Sequence, residues 1–329
     1  MTNTTKLYPL TFKTIFKEKI WGGDKIKTLL KKDVGTLPNC GETWELSGVE
    51  GNISIVANGA LAGCDLSSLI KELKGNLVGE KVYQQYGAEF PLLVKFIDAN
   101  ADLSIQVHPN DELAQKRHNC KGKTEMWYVL QADKGAKLIA GFNQPMSQEK
   151  YLKHFNEKKL EEILNFEEVH EGDAFFMPSG RVHSIGSGVM LIEVQQTSDI
   201  TYRIYDYNRT DADGNQRELH TEQALAAIDY QYYEAYKTPY SAEKNKRNTL
   251  VECPFFSTNI LLLDRKIDFD YSQRDSFTLL SVVEGKGRLI AEDFEIEVKL
   301  GDVLLIPAAF NHFKIQAKDT IKILEAFIP

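Results

Sequence analysis

The stretch that decides the fold is Gly172-Asp-Ala-Phe-Phe-Met-Pro178-Ser-Gly180-Arg-Val-His183, because its pattern returns as Gly301-Asp-Val-Leu-Leu-Ile-Pro307-Ala-Ala309-Phe-Asn-His312. Both copies read Gly-Asp, then small or apolar residues, then Pro, with a His further on at the same spacing. A Gly-Asp turn that feeds an apolar strand ending at Pro is favourable strand and turn chemistry. The repeat therefore predicts two related units built around strands.

The rest of the chain also favours strands. Short runs rich in branched and aromatic residues, bounded by Gly, Pro, Asn or Asp, predict strands at 103–108, 124–130, 174–177, 189–195, 201–205, 277–283 and 302–306. Helical patterns occur at 66–73, 147–164 and 221–228, with Asp65 and Ser147 as N-caps of the first two. We expect a mainly β protein with helical insertions, arranged as a sandwich or barrel.

Length and composition set the domain organisation. The chain has 329 residues, 43% of them hydrophobic and 26% charged, which suits two packed globular units. The stretch 236–248 contains Pro239, Ser241 and a run of charges, as a linker does. We therefore predict one domain over 1–240, which carries the function, and a second over 241–329.

Charge and cysteine usage exclude several classes of protein. The net charge of −8 and the pI near 5.5 predict no nucleic-acid partner, which needs a basic face. No run approaches the roughly 18 apolar residues of a membrane helix, and residues 1–10 lack an apolar signal region. The four cysteines are widely spread, which is typical of thiols in a reducing compartment. We expect a cytoplasmic protein without a membrane partner.

Four side chains have the chemistry of a metal site. On a strand, Gln106 and His108 share one face, while Lys123 and Glu125 share a face of the next predicted strand. His183 follows a tight turn. Two imidazoles, a carboxylate and an amide oxygen, with no thiolate, suit Zn²⁺, Mn²⁺ or Fe²⁺ in a catalytic site that keeps positions open.

The stretch from Gly172 to His183 matches the second cupin motif, Gly-x5-Pro-x-Gly-x2-His, at every position. The chain thus resembles the cupins, and the resemblance implies two cupin-type jelly-roll β-barrels with a metal in the mouth of the first. The later copy has Ala309 where the motif has Gly and lacks an upstream pair of histidines, so the second barrel is expected to be degenerate and metal-free. His312 is expected to be packed or at the surface rather than a ligand, and His118 is expected to be exposed.

Departures from a standard cupin point to one family. Gln106 replaces the first motif's opening His, and Glu125 arrives late, after an insertion over 110–122. With these features the chain resembles the short bacterial branch of the type I mannose-6-phosphate isomerases. The matching segments are Trp21-Gly22-Gly23, Gly41-Glu42-x-Trp44-x-x-Ser47, Pro91-Leu92-Leu93-Val94-Lys95, Ser104-x-Gln106-Val107-His108-Pro109, Lys123-Thr124-Glu125-x-Trp127-Tyr128, Pro178-Ser179-Gly180-x-x-His183 and Glu193-x-Gln195-Gln196-x-Ser198-Asp199-x-Thr201-Tyr202-Arg203-x-Tyr205-Asp206.

The resemblance implies an isomerase that interconverts D-mannose 6-phosphate and D-fructose 6-phosphate through an enediol, with one zinc per chain. Arg203 matches the family's active-site arginine. Lys123, beside Glu125, is a candidate to orient sugar hydroxyls or assist proton transfer, and Glu193 is a candidate for the base or for orienting it. Ser104 and Lys95 are candidate phosphate contacts.

Two other classes share parts of this pattern. One is a non-catalytic cupin that senses a sugar, which should have lost Arg203 or Lys123. The other is a metal-dependent cupin dioxygenase, whose site is usually rich in His. We expect a small sugar phosphate as the partner and a monomer or homodimer as the assembly.

Overall fold

The computed structural model describes residues 6–210 and 214–329, and these are mainly β. The strands in these ranges are β1 Ile15–Gly23, β2 Cys40–Leu46, β3 Leu92–Ala99, β4 Ile105–Val107, β5 Glu125–Ala132, β6 Lys137–Phe142, β7 Leu164–Glu168, β8 Ala174–Met177, β9 His183–Ile185, β10 Val189–Gln196, β11 Tyr202–Tyr205, β12 Arg247–Glu252, β13 Ser257–Leu263, β14 Lys266–Asp270, β15 Thr278–Ala291, β16 Phe294–Lys299, β17 Val303–Ile306 and β18 His312–Phe327. The helices are α1 Lys25–Thr28, α2 Leu66–Leu73, α3 Gly75–Val78, α4 Glu80–Tyr86, α5 Asp111–His118, α6 Gln148–Asn156 and α7 Thr221–Ala227, with short 3-10 turns at Gly59–Leu61 and Leu160–Glu162.

Contacts divide the chain into two compact units. The terminal unit comprises Met1–Ile15, Trp44–Leu92 and Pro239–Pro329, and the central unit comprises Phe16–Thr43 and Leu93–Thr238. The last boundary along the chain, between Thr238 and Pro239, lies close to the predicted cut between 240 and 241. Each unit combines separate stretches of the chain, whereas the predicted domains are continuous. The division into 1–240 and 241–329 therefore stays a prediction.

The central unit is organised around two sheets. The first has the strand order β1-β2-β3-β10-β5-β8 and the second β11-β4-β9-β6-β7. Trp127, Leu138, Phe175, Ile185 and Leu191 belong to one buried cluster. Since these residues come from strands of both sheets, the core lies between the sheets. The mainly β, cupin-type fold that was expected is confirmed.

Helices cover the outer face of the second sheet. Ile105, Val107 and Ile204 of this sheet share a buried cluster with Tyr151 of α6 and Ala224 of α7. Side chains alternate between the faces of a strand, so the residues between these apolar positions are turned to the opposite face. Because the helices cover one face of the second sheet, the side chains on its other face point into the core between the sheets.

The terminal unit contains one seven-stranded sheet. Its order is β12-β13-β18-β15-β16, with β14 paired to β18 and β17 paired to β15. Its buried cluster includes Leu263, Phe269, Leu289, Phe313 and Ile323, which come from four strands of this sheet.

The two copies of the repeat fold alike at their start and differ at their end. Gly172 and Gly301 have φ of 89° and 92°, a left-handed conformation that favours glycine. Each leads into a short strand, β8 or β17, and the next strand begins at the motif histidine. His183 is buried, with 1% of its surface exposed, whereas the His312 side chain is 66% exposed. His312 is thus a surface residue, one of its two predicted placements.

The predicted elements mostly occur, with two corrections. Strand 174–177 and helix 66–73 match β8 and α2, and Asp65 caps α2 by accepting the Ser68 N–H at 2.9 Å. The helix predicted over 147–164 ends at Asn156, because Lys158 takes a left-handed φ of 58° and β7 begins at residue 164. The insertion 110–122, assigned no element from sequence, forms helix α5, on which His118 is exposed as expected.

Two further observations bear on the sequence-based expectations. Among the described residues, no helix has the length and apolar character that crossing a bilayer requires. None of the four cysteines, all of which are described, forms a disulfide bond.

Candidate active site

Strand register places three of the predicted site residues on one face of the second sheet. Gln106 in β4 lies opposite His183 in β9 and, on its other side, opposite Arg203 in β11. Directly opposed residues of antiparallel strands project to the same face. The neighbours of Gln106 on β4 project to the helix-covered face. Gln106, His183 and Arg203 therefore start from the face that looks toward the core.

Three side chains converge on one point in this core. One ligand atom from each of His108, Glu125 and His183 lies within 4.8 Å of the other two. Nε2 of His108 is 3.5 Å from Oε2 of Glu125, and Nε2 of His183 is 3.3 Å from Oε1 of the same carboxylate. All three residues are buried. Within residues 6–210 and 214–329, no other group of three or more His, Cys, Asp or Glu side chains converges in this way.

The backbone holds both imidazoles in one orientation. Nδ1 of His108 lies 2.9 Å from the carbonyl oxygen of Ile200, and Nδ1 of His183 lies 2.8 Å from that of Arg181. A carbonyl oxygen only accepts, so each Nδ1 carries the proton and each Nε2 presents its lone pair to Glu125. Burial and the Lys123 ammonium lower the pKa of His108 well below its usual range and that of His183 to about 4. Both rings are therefore neutral at neutral pH, as metal ligands must be.

The carboxylate of Glu125 lacks a compensating donor on one side. Its Oε1 is buried and accepts no hydrogen bond from the described residues. Burial, reinforced by the charge of Glu193, raises the pKa of Glu125 to about 8, although Lys123 opposes the rise. A buried carboxylate in this position is stabilised by a cation. Two neutral imidazoles and one carboxylate, with no thiolate, thus fit a divalent metal of the Zn²⁺, Mn²⁺ or Fe²⁺ type.

Gln106 stands at the edge of this cluster. Its Nε2 lies 3.4 Å from Nε2 of His183. A half-turn of the side-chain amide exchanges Nε2 for Oε1. In that orientation the amide presents an oxygen beside the two histidines and Glu125, which is the contribution expected of it from sequence.

A second layer of buried charges lies beside the cluster. The Lys123 ammonium contacts the Glu125 carboxylate and lies 3.2 Å from Nε2 of His108 and 3.8 Å from Oε1 of Glu193. Glu193 also lies 3.1 Å from the Lys95 ammonium and accepts the Trp127 indole N–H at 3.0 Å. Burial opposes the ionisation of Glu193, but Lys123 and Lys95 outweigh it and lower its pKa to about 2. Glu193 is therefore a carboxylate in a fixed position.

Arg203 lies on β11, which is the edge strand of the second sheet beside β4. Its Nη1 donates to the carbonyl oxygen of Glu218 at 2.8 Å, and its backbone N–H donates to Nδ1 of His220 at 3.1 Å. Burial and the charge of Arg217 lower the pKa of Arg203. Its Nε is buried and has no hydrogen-bond partner among the described residues. The hydrogen bonds of Arg203 therefore go to the segment just before α7. Its pairing with Gln106 across β11 and β4 places the two residues side by side.

The two predicted phosphate contacts have different surroundings. Ser104 is buried and immediately precedes β4, whose Gln106 lies at the next position of the same face. Lys95 is buried on β3 against Glu193. Both therefore lie on strands that carry the site, but only Ser104 lies next to a residue of the proposed ligand set.

Sequence reasoning missed three kinds of contact. Trp127 lies directly opposite Glu193 in the β5–β10 register, and its position two residues after Glu125 on one strand was an available signal. The carbonyl groups that orient the histidines left no trace in the sequence, because any residue type supplies a carbonyl. The arginines Arg209 and Arg217, which surround Asp206, also carried no recognisable pattern.

Comparison with known proteins agrees with this geometry. Residues 10–141 match the family model "Phosphomannose isomerase type I, catalytic domain", and residues 246–324 match "Mannose-6-phosphate isomerase, cupin domain". The chain is 38% identical to mannose-6-phosphate isomerase ManA of Bacillus subtilis, over 94% of this chain and 96% of that protein. It is 34% identical to mannose-6-phosphate isomerase of Streptococcus mutans, over 91% and 92% of the two chains.

A solved structure supports the same relationship. The crystal structure of mannose 6-phosphate isomerase from Bacillus subtilis superposes with a TM-score of 0.88 and 32% identity, covering 97% of this chain and 99% of that one. The chain therefore belongs to the type I mannose-6-phosphate isomerase family.

Proposed function

We propose that this chain is a metal-dependent aldose–ketose isomerase that interconverts D-mannose 6-phosphate and D-fructose 6-phosphate through an enediol. The observation that carries the proposal is the convergence of His108, Glu125 and His183, with both Nε2 lone pairs directed at a buried carboxylate. Its relatives of similar length are named for this activity. The substrate is then a small sugar phosphate.

The metal is proposed to be one zinc ion per chain, with Mn²⁺ or Fe²⁺ as possible substitutes. Gln106, His108, Glu125 and His183 would hold it. When bound, such an ion acts as a Lewis acid that polarises the carbonyl and hydroxyl oxygens of the sugar. The absence of thiolate from the donor set supports a catalytic ion rather than a structural one.

Three residues are proposed to act on the reacting carbons. Glu193 takes the carbon-bound proton at C1 or C2, or orients the group that does; its fixed position supports both roles, whereas its low pKa favours the second. Lys123, within 3.2 Å of His108, orients the sugar hydroxyls or assists proton transfer. Arg203 places a fixed positive charge near Gln106, where it stabilises negative charge as the enediolate forms.

The phosphate must be held so that C1 and C2 lie in register with these groups. Ser104 remains the proposed hydroxyl contact, since it precedes Gln106 on the same face. For Lys95 we propose first a structural role, the pairing of Glu193. A direct contact between Lys95 and phosphate stays a prediction.

The setting of the enzyme is proposed from the sequence. A net charge of −8 supports a protein without a nucleic-acid partner. We propose a cytoplasmic location, no membrane partner, and a monomeric or homodimeric state. Size-exclusion chromatography with light scattering distinguishes these two states.

One experiment tests the function against its competitors. Purified protein is analysed for bound metal and then mixed with mannose 6-phosphate without oxygen, and fructose 6-phosphate is measured. Formation of fructose 6-phosphate supports the isomerase and excludes both a sugar sensor, which turns nothing over, and a dioxygenase, which needs oxygen. Metal-loaded protein that forms no fructose 6-phosphate would overturn the proposal.

A further inference from the structure

One turn connects the segments that carry the proposed metal ligands. It covers residues 178–183, from the end of β8 to His183, where β9 begins, and we call it the ligand turn. The Gly180 N–H donates to the carbonyl oxygen of His108 at 2.9 Å. The N–H of the preceding residue donates to Oγ1 of Thr124, which directly precedes the carboxylate ligand, at 3.2 Å. The position of the ligand turn therefore affects each side chain of the convergent His–Glu–His group.

Arg181, in the middle of the ligand turn, orients one of the two imidazoles. Its carbonyl oxygen accepts the Nδ1–H of His183 at 2.8 Å. A partner of this kind fixes the tautomer and the ring orientation of a metal-ligating histidine. Nε2 of the same ring lies 3.3 Å from Glu125, so a shift of the Arg181 carbonyl turns the Nε2 lone pair away from that carboxylate. The geometry of the proposed metal site thus depends on where Arg181 is held.

The side chain of Arg181 is clamped between a strand and two tyrosines. Its Nη1 donates to the carbonyl oxygen of Phe176 on β8 at 2.8 Å. Its guanidinium carbon lies over the ring of Tyr233, 4.6 Å from the centre, and over that of Tyr236, 5.1 Å from the centre. Both distances are within the range of a cation–π interaction. A planar guanidinium that stacks on rings and donates at its edge has a defined orientation, so these contacts fix the backbone of Arg181 as well.

The two tyrosines belong to a segment that is bonded to the same strand and turn. We call residues 229–238, which follow α7, the tyrosine segment. At its start the Asp229 N–H donates to the carbonyl oxygen of Gly180, and at its end the Thr238 N–H donates to that of Ala174, both at 2.8 Å. The tyrosine segment is therefore attached to the ligand turn at one end and to β8 at the other.

Tyr236 anchors the tyrosine segment to the second sheet. Its side chain is 5% exposed, and its hydroxyl accepts the Phe142 N–H at 3.1 Å and donates to the Phe142 carbonyl oxygen at 2.8 Å. Its ring packs on Gly141, where an added Cβ would come within 2.4 Å of the ring. Both residues lie on β6, which pairs with β9 through Ala140 opposite His183. The clamp on Arg181 is thus fixed to the strand that neighbours the ligand histidine.

We propose that Arg181, clamped by Tyr233 and Tyr236, is a positioning residue that keeps Nε2 of His183 directed at the metal. It acts through its own carbonyl oxygen and the imidazole, and it supplies no ligand itself. The inference rests on the metal site of the proposed function but not on the identity of the sugar. A clamp that only fastened the tyrosine segment to the surface would change the free energy of unfolding and leave metal binding unchanged.

The test compares Arg181→Gln and Tyr233→Leu with wild-type protein, each loaded with Zn²⁺ and titrated with a competing chelator. We expect both variants to bind Zn²⁺ about 10-fold more weakly, the lower end of the range for loss of an outer partner of a metal ligand. Arg117→Gln is the matched control, because Arg117 also lies over a tyrosine ring, that of Tyr202 at 5.7 Å, and also donates from Nη1 to a backbone carbonyl, that of Gln223 at 3.1 Å. Since Arg117 lies on α5, outside the ligand turn, the control should bind Zn²⁺ as wild type does.

The visible spectrum of Co²⁺-loaded protein provides the second readout, because its bands depend on the geometry of the ligands around the ion. We expect Arg181→Gln to change the position or the intensity of these bands, and Arg117→Gln to leave them unchanged. If Arg181→Gln does not fold, Arg181→Lys keeps the charge over the rings but not the planar fork, and should bind Zn²⁺ with an affinity between those of wild type and Tyr233→Leu.

The outcomes separate the inference from the proposed function. Folded Arg181→Gln and Tyr233→Leu proteins with wild-type Zn²⁺ affinity and an unchanged Co²⁺ spectrum overturn the inference, even when they are less stable. Equal weakening of Zn²⁺ binding in Arg117→Gln also overturns it, because the effect would then not depend on the ligand turn. Wild-type protein that binds Zn²⁺ but does not isomerise mannose 6-phosphate overturns the proposed function alone.

Discussion

The ammonium of Lys95 lies 3.1 Å from Oε2 of Glu193, and both side chains are less than a tenth exposed. This pair joins β3 to β10, which are neighbours in the first sheet. Trp127 occupies the other carboxylate oxygen at 3.0 Å. Glu193 thus reaches the site with its charge already compensated, and removal of Lys95 leaves that charge buried with less compensation.

We therefore expect Lys95→Met to destabilise the protein by about 3–5 kcal/mol, the usual effect of breaking one side of a buried ion pair. Chemical denaturation monitored by circular dichroism measures this loss. In the double variant Lys95→Met, Glu193→Gln the unpaired charge is gone, so most of the stability should return. Losses that simply add in the double variant would show that the pair is not coupled.

His183→Ala should weaken metal binding by more than about 100-fold, which is the upper range for loss of an outer partner of a metal ligand. Metal content after dialysis against a weak chelator measures the effect, and activity should fall with it. His312→Ala is the control, because His312 occupies the same place in the second copy of the repeat but is exposed. Equal metal content in the two variants would exclude His183 from the ligand set.

Arg203→Ala should keep its metal and lose about 100- to 1000-fold in kcat, the usual effect of removing one group that stabilises developing negative charge. The reason is that Arg203 places a fixed positive charge beside Gln106. In addition, its Nε–H has no hydrogen-bond acceptor among the described residues. Steady-state kinetics and metal analysis on the same preparation check both statements. A near-normal kcat would remove Arg203 from the chemistry.

The terminal unit contains its own buried carboxylate. Glu325 is fully buried and lies 3.3 Å from both Arg247 and Arg274, and it accepts from Nδ2 of Asn259 at 2.7 Å. Glu325→Gln should lower the free energy of unfolding by about 1.5–3 kcal/mol, because Arg274 and Arg247 lose a charged acceptor but are themselves 15% and 41% exposed. Urea denaturation measures the loss. Glu295→Gln, which breaks an exposed pair with Arg288, should cost less than about 1 kcal/mol.

The same carboxylate predicts a pH dependence. Burial opposes ionisation, but Arg274 and Arg247 outweigh it and lower the pKa of Glu325 below its ordinary value of 4.5. A carboxyl whose folded pKa is lowered stabilises the protein fully above its unfolded pKa and loses that contribution as the pH falls through the folded pKa. The stability difference between wild type and Glu325→Gln should therefore be constant near neutral pH and shrink below about pH 4.5. Urea titrations at several pH values test this, and a difference that grows on acidification would contradict it.

Much of the site was accessible from local sequence. Strand alternation predicted that Gln106 faces away from Ile105 and Val107, and the structure buries those two in the helix-covered cluster. The repeat predicted a strand before each motif histidine, and β8 and β17 occur there. The comparison of the two copies also indicated that only the first keeps the motif glycine, Gly180, where the second has Ala309. Gly180 takes a φ of 91°, a left-handed conformation that favours glycine.

Other features depended on contacts that local sequence does not encode. The helix predicted over 147–164 was wrong in its second half, and α5 was not predicted at all, because its capping by Asn110 lies within a polar stretch of weak periodicity. The pairing of Lys95 with Glu193 and the gathering of Arg209 and Arg217 around Asp206 join residues that no short motif links.

The amino-acid sequence by itself determined which donors, charges and strand faces the protein has available, since these follow from residue type and a period of two. Only the tertiary structure decided which of them meet, namely that Glu125 of the first sheet lies against His108 and His183, and that Arg203 lies beside Gln106. The physical reason is pairing: a slip of one residue between strands turns every side chain to the other face, and the strands that meet here come from distant parts of the chain, so no local pattern states which residues lie opposite each other.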